Sequence, residues 1–297
     1  MKAVYLHCSL SKQAHYQGMK RLVRQKEKEV VYVGLMIETR DIQPGMGLRT
    51  MYEMLQPEGI GRDAFVALGL QEGFRLKAIE KYVRTTYSVK SNRYRNLLGG
   101  KKFTDVNQLW SSDITYLFCI ERFYYIVMIM DVYSRRIIGH SIADNMRAEN
   151  TLAALKMALA LRGQTHYQDG LIHHSDRGAQ YVSDIYTDTL CDHGIQISMC
   201  DEVYENTHIE RLNDTIKNQY LNRRVITSEH QLKHEIDRTM ETYNSKRPHQ
   251  SLNGITPTAF EASLNDVPLN DRVKMEIYTS NKLENPEDPN QLNIIFN

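Results

Sequence analysis

The chain has little cysteine, and what it has is scattered. Cys8, Cys119, Cys191 and Cys200 form no CxxC pair, which excludes a disulfide framework and a zinc knuckle and leaves buried thiols as the simplest reading. Long apolar runs are also missing. None approaches the roughly 18 residues that a membrane span needs, and the opening MKAVYLHCSLSKQ lacks the apolar core of a signal peptide, so a cytosolic protein is expected. There is one tryptophan, Trp110, expected to pack under a strand. No sustained heptad pattern marks the N-terminus as a coiled coil.

An overall charge excess is absent too, since the formal net charge is +1. That balance hides segregation. Arg75 to Lys102 holds nine basic residues against one acid, and Glu261 to Asn297 three basic against seven acidic. Cations interleaved with Tyr82, Tyr87 and Tyr94 suit a phosphate backbone, although a solvated basic linker has the same composition.

The 297 residues, 41% hydrophobic and 25% charged, suffice for about two domains with cores of their own. Residues 1–73 read as helices broken at Pro44-Gly45, Pro57 and Gly59, with Gly59 to Gly73 resembling a helix-turn-helix element. A basic linker, 74–104, follows. Gln108 to Ile120 and Phe123 to Ser134 are rich in aromatic and β-branched residues and are split by Glu121-Arg122, a hairpin pattern. RRIIGHSIAD adds a third strand. ENTLAALKMALALRG predicts a helix stopped by Gly163, then come a buried strand at Leu171 to His174, a helix capped by Ser183 or Asp184 and ended by Gly194, the strand IQISMC, and a helix from about Tyr204 to Leu221. The order β, β, β, α, β, α, β, α predicts an α/β protein with a ribonuclease H-like mixed five-stranded sheet over 105–225. A helical extension, 226–264, and an acidic tail, 265–297, complete the division.

Three acids carry the chemistry. Asp113 interrupts the aromatic strand WSSDITYLF, where a carboxylate needs a partner or a metal. Asp176 lies just past the fourth strand, where sheets of this kind place ligand-binding groups, and the first and fourth strands are neighbours in this order. Glu210 shares a polar helix face with Asn206, Asn213 and Lys217, opposite the stripe Ile209, Leu212, Ile216 and Tyr220. Taken singly, Asp176 suits a cap or turn and Glu210 a solvated helix position. Converging, the three would hold hard divalent cations, two Mg²⁺ or Mn²⁺ ions. Asp131, in DVYSRR, is the decoy and is assigned to a turn. His173 and His174 lack further ligands at metal spacing and are assigned to polar packing.

WSSDITY, DVYSRRIIGHSIAD, HHSDRGAQYVSD, GIQISM, YENTHIERLNDTIKNQYL and YNSKRPHQSLNGITPTAF follow one another in this chain. In that order they resemble the second-frame (OrfB) transposases of the IS-three insertion-sequence family, within the DDE transposase and retroviral integrase superfamily. The resemblance runs from about residue 40, at RDIQPGMGLRTMYEML, to about 260. It implies that Asp113, Asp176 and Glu210 are the catalytic, metal-holding triad and that Lys217 contacts the transposon-end DNA. It further implies DNA cutting and joining at terminal inverted repeats, with magnesium. The chain departs from the family in one spacing, since the interval from Asp176 to Glu210 is two residues shorter than usual. That makes Glu202 and Glu205 rival third ligands. Asn213 and Gln219 also stand where an aromatic and an acid are frequent.

The expected reaction is in-line displacement at phosphorus, with Lys217, Asn213, Arg177, Lys246 and Arg247 as DNA-binding residues. Expected partners are inverted-repeat and target DNA, further copies of the chain, and the upstream-frame (OrfA) protein, as a frameshift fusion or separately, in the bacterial cytosol and nucleoid. A ribonuclease H-like nuclease would use the same acids, and an inactive DNA-binding remnant would need none of them.

Overall fold

The computed structural model describes residues 11–79, 93–167, 170–200 and 206–277, and the chain divides into two compact units, 1–79 and 80–297. The first unit is helical. α1 (Lys12–Ile42) starts at Ser11, whose Oγ accepts the Ala14 amide at 3.0 Å, and ends ahead of Pro44. α2 (Leu48–Leu55) and α3 (Arg62–Gln71) follow, separated by Pro57 and Gly59. Met36, Met51, Phe65 and Leu68 make a small core among the three. Tyr16, Val23, Val30 and Ile37 lie exposed along α1 at seven-residue spacing. Lys26 and Arg40 break the matching second row, which is why no sustained heptad stands out in the sequence.

In the second unit β1 (Lys102–Phe103) stands apart from a five-stranded sheet. β2 (Leu109–Cys119), β3 (Arg122–Asp131) and β4 (Ile137–Ala143) meander antiparallel. β5 (Ile172–Ser175) and β6 (Gln196–Met199) run parallel to β2, giving the spatial order β4-β3-β2-β5-β6. This is the ribonuclease H-like arrangement expected from the element order. The first hairpin turns at Ile120-Glu121, with φ 51° and 59°, one residue earlier than expected because Arg122 already pairs with Cys119. Two consecutive left-handed residues suit the twist of a two-residue hairpin.

Helices cover both faces. α4 (Ala148–Arg162) ends at Gly163 in the left-handed conformation, and α5 (Asp184–Asp192) follows Ser183. Together they bury Trp110, Val127 and Ile129 on one side of the sheet. α6 (Thr207–Asp214) and α7 (Glu229–Ser245) bury Leu109, Leu117, Ile126 and Met128 on the other. A fully buried side chain of this kind contributes roughly 1.5–3 kcal/mol. The predicted stripe Ile209, Leu212, Ile216 and Tyr220 is buried as expected. The helix is not uniform, however. It passes into a π-helical turn, Thr215–Tyr220, and a 3₁₀ turn, Leu221–Arg223, so that Tyr220 and Leu221 both reach the core. Wide turns of this type are common beside functional sites.

α8 (Pro257–Ser263) closes the unit, and β7 (Met275–Glu276) pairs with β1, so the acidic segment is folded up to residue 277. The thiols are not all buried. Cys200 is, Cys119 is half-buried and Cys191 is exposed, while Cys8 lies outside the described residues. The inward stripe of α5 is Tyr186, Thr187 and Leu190, and Cys191 falls off it.

Candidate metal and nucleic-acid site

The register of two strands brings the aspartates together. Ser111 pairs with His174 and Ser112 with Ser175 in the parallel ladder between β2 and β5. The next residue on each strand is Asp113 and Asp176, so both carboxylates leave the sheet at the same level, where β5 stops and β2 continues. The turn after β5 is tight. The Gly178 amide donates to Asp176 Oδ1 at 3.0 Å, and a Cβ at Gly178 would meet that oxygen at 3.0 Å and Gln180 Oε1 at 2.8 Å.

Asp113 alternates with Leu109 and Leu117, on the face that α6 covers. There Asn213 Nδ2 donates to Asp113 Oδ2 at 2.7 Å, from a side chain only 7% exposed whose buried Oδ1 has no hydrogen-bond partner among the described residues. Glu210, one helical turn earlier, lies half-buried on the same side. The start of α6 is tied to β2 by Asn206. Its Nδ2 donates to the Ser112 carbonyl at 3.3 Å, its Oδ1 accepts from Ser111 Oγ, and Ser112 Oγ shares a hydrogen bond with the Tyr181 hydroxyl at 2.9 Å.

The acids are electrically unrelieved. Burial, then Asp176 and Glu210, push Asp113 up to about 7, against the opposing hydrogen bonds of the Ile114 amide and Asn213. Asp176 is raised by desolvation and partly held down by the Gly178 amide, and Glu210 is raised by desolvation. Among the described residues no Lys or Arg stands among the chief influences on any of the three. An all-oxygen set of repelling carboxylates suits Mg²⁺ or Mn²⁺. Among the described residues no three His, Cys, Asp or Glu side chains stand at ligand spacing, so the acids fit a cation chemically and would draw closer on binding it.

The other predicted residues divide. Lys217 Nζ lies 4.6 Å from the centre of the Tyr116 ring. Arg177 Nε donates to the Cys200 carbonyl at 2.8 Å, close after Asp176. Lys246 is exposed at the end of α7, and Arg247 hydrogen-bonds the Tyr220 hydroxyl. Asn213 turns inward to Asp113 rather than to solvent. Glu202 and Glu205 lie outside the described residues, as do Lys81, Tyr82, Arg84, Tyr87 and Lys90 of the basic segment.

His173 and His174 pack as expected. His173 Nε2 meets the Tyr186 hydroxyl at 2.8 Å, and burial with the neighbouring His174 lowers its pKa to about 3. His174 Nδ1 meets Ser198 Oγ at 2.9 Å. Asp131 is a turn residue, accepting the Tyr133 and Ser134 amides at 3.1 and 3.3 Å. It also pairs with Arg162 at 2.9 Å in a network with Glu261 and Arg136 that its local sequence does not announce. Asn206, Ser112 and Tyr181 were likewise not singled out as supports, because their contacts join segments far apart in the chain.

Two family models described as integrase core domain match residues 104–203 and 193–257. The transposase for insertion sequence element IS904 of Lactococcus lactis is 34% identical over 163 residues, 54% of this chain and 63% of that protein. An uncharacterized 31 kDa protein of insertion element IS600 from Shigella sonnei is 34% identical over 221 residues, 72% of this chain and 80% of that one. The transposase InsF for insertion sequence IS3A of Escherichia coli is 31% identical over 201 residues, 64% of this chain and 67% of that protein. Among solved structures, the HTLV-2 integrase catalytic core domain in complex with magnesium superposes with a TM-score of 0.44 at 21% identity, covering 53% of this chain and 97% of that one. No helix among the described residues is long and apolar enough to cross a membrane.

Proposed function

The chain belongs to the IS3-family insertion-sequence transposases with an integrase core domain, and from that premise we propose that Asp113, Asp176 and Glu210 carry metal-dependent cutting and joining of DNA at the ends of its element. The observation that carries the reading is the meeting of Asp113 and Asp176 one residue past the last β2–β5 pair, with Asp113 raised by both other acids.

Asp113, Asp176 and Glu210 would hold one or two divalent ions. When bound, such ions supply the positive charge that activates an attacking oxygen and stabilises a departing one. The attacker is water in cutting and a DNA 3′ hydroxyl in joining, and in both the 3′ oxygen of the broken bond leaves in line. The chain supplies position. Asn213 fixes one oxygen of Asp113 by donating to it, which would orient the carboxylate to hold a cation. Gly178 fixes Asp176 in the same way. Asn206 and Tyr181 hold the strand and helix that carry the acids, so that the reacting groups meet without a search through rotamers.

Lys217, Arg177, Lys246 and Arg247 bind phosphates and set the path of the DNA. In the DNA complex more than one copy of the chain assembles, and the upstream-frame product joins it as a fusion or a partner. Strand transfer of labelled element ends with Mg²⁺ tests the reading: Asp113→Asn and Glu210→Gln each abolish product while leaving DNA binding in place. Full activity in both variants would remove the carboxylates from the chemistry.

A further inference from the structure

Lys217 holds its charge differently from the other lysines placed beside it in the chain. It is half-buried in the π-helical turn Thr215–Tyr220, seven residues after Glu210 and four after Asn213. Among the described residues no carboxylate pairs with it. Asp214, within one helical turn, accepts instead from Asn218 Nδ2 at 2.6 Å. Lys233 and Lys102 show the ordinary arrangement, with Glu229 at 2.9 Å and Glu276 at 2.6 Å. The Lys217 ammonium rests against a ring, 4.6 Å from the centre of Tyr116, within range of attraction by its π face.

The ring lies where the sheet opens. The β2–β5 ladder ends at Ser112 and Ser175, and beyond it β2 pairs, among the described residues, with β3 alone. Asp113 alternates with Leu117 toward α6, whereas Tyr116, about 10 Å further along, alternates with Trp110 and Ile114 toward the opposite face. Lys217 rises from the helix on the Asp113 side, and β3 occupies the other edge of β2. Its side chain therefore reaches the ring around the edge that β5 leaves open. Asp113, Asn213, Lys217 and Tyr116 follow one another there, joined by the 2.7 Å hydrogen bond at one end and the 4.6 Å contact at the other.

Tyr116 is itself held. It stands opposite Tyr125 on β3, and Phe118 stands opposite Phe123. The Phe123 ring meets Tyr116 and Phe118 edge-on, with centroids 5.9 and 5.0 Å apart. Cross-strand aromatic contacts of this kind steady a hairpin, and here they fix the ring on which Lys217 lies.

A ring and a carboxylate hold an ammonium with different consequences. A carboxylate neutralises it and competes with phosphate for the same donors. A ring leaves the charge whole and the remaining N–H groups free. It also confines in advance a flexible four-carbon stem whose ordering would otherwise weaken binding.

We propose that Tyr116 is a positioning residue for DNA. Its ring, set by Phe123, holds Lys217 Nζ at the open edge of β2, so that a backbone phosphate of the element end meets a cation already placed on the rim of the carboxylate site. The inference rests on the function proposed above, in which Lys217 contacts DNA.

The test uses the full chain and a labelled duplex of the element's terminal repeat. Lys217→Ala lowers the slope of log affinity against log salt by about 1. Tyr116→Leu weakens binding on the order of 5-fold and keeps the slope, because the charge is still present but no longer placed. Tyr116→Phe, which retains the ring face, recovers most of the affinity. In the Lys217→Ala background, Tyr116→Leu costs nothing more. Undiminished affinity in Tyr116→Leu would overturn the proposal. So would an equal loss with Lys217 present and absent, which would make Tyr116 a packing residue. Should Tyr116→Leu fail to fold, Tyr116→Phe with successive ring fluorines keeps the shape while draining the π face: affinity falling stepwise supports the proposal, and a flat series overturns it. A wild type that binds the duplex and joins ends no better when Lys217 is present than in Lys217→Ala would overturn the inference and leave the function standing. A wild type that joins no ends would sink the function itself.

Discussion

One strand carries two contrasting environments for an aspartate. At one end of β2, Trp110 pairs with Asp131, which is fully buried and answered by Arg162 and three backbone amides. Three residues along, Asp113 feels two further acids and, among the described residues, accepts from Asn213 and one amide. Both aspartates have raised pKa values with burial as the first cause, but the second-largest influence on Asp131 is Arg162, which lowers it, and on Asp113 it is Asp176, which raises it further. A buried acid answered from within the chain is a brace. A buried acid facing more acids needs a cation from outside, and that difference, rather than burial itself, separates structure from chemistry here.

The contrast can be broken from either end. The largest expected effect is on catalysis: Asp113→Asn or Glu210→Gln lowers strand-transfer rates by on the order of 10³-fold or more, while the metal-free melting temperature stays level or rises. Asp131→Asn gives the reverse, a loss of roughly 3–5 kcal/mol in denaturant unfolding with normal turnover per folded molecule. A smaller effect is expected at the hinge between the two cases. Asn213→Ala, which removes the donor to Asp113 Oδ2, lowers activity about 10–100-fold and raises the Mg²⁺ concentration needed for half-maximal rate. Loss of stability without that shift in metal requirement would assign Asn213 to packing.

The subtlest effect is in pH. The folded-state pKa of Asp113, about 7, lies above its ordinary value of 3.8, so the folded protein binds the proton more tightly than the unfolded chain. The resulting stability is fully present below the ordinary value and is lost as pH rises toward 7. In EDTA the wild type should therefore melt lower at pH 8 than at pH 5, and Asp113→Asn should flatten that dependence. Parallel curves for the two proteins would contradict it.

Much of the sheet could be read along the chain because its signals are local. The alternation in β2 and β3, the stop at Gly163 and the inward stripe from Ile209 to Tyr220 each report a neighbouring environment. The pairing of β2 with β5 also followed from element order, and that pairing carries Asp113 to Asp176. What escaped reading depends on distant partners. Asp131 looks like any turn residue in DVYSRR until Arg162 and Glu261 are brought to it. The π-helical turn after α6 escaped because its periodicity differs from a regular helix by a single residue.

The central claim is that Asp113, Asp176 and Glu210 close on a divalent cation where β5 ends. Anomalous scattering from crystals of the full chain soaked in Mn²⁺ examines it directly. The account predicts a manganese peak in contact with carboxylate oxygens of Asp113 and Asp176, with Glu210 drawn toward it, and no such peak in Asp113→Asn. Manganese bound elsewhere, with these three side chains still apart, would contradict it.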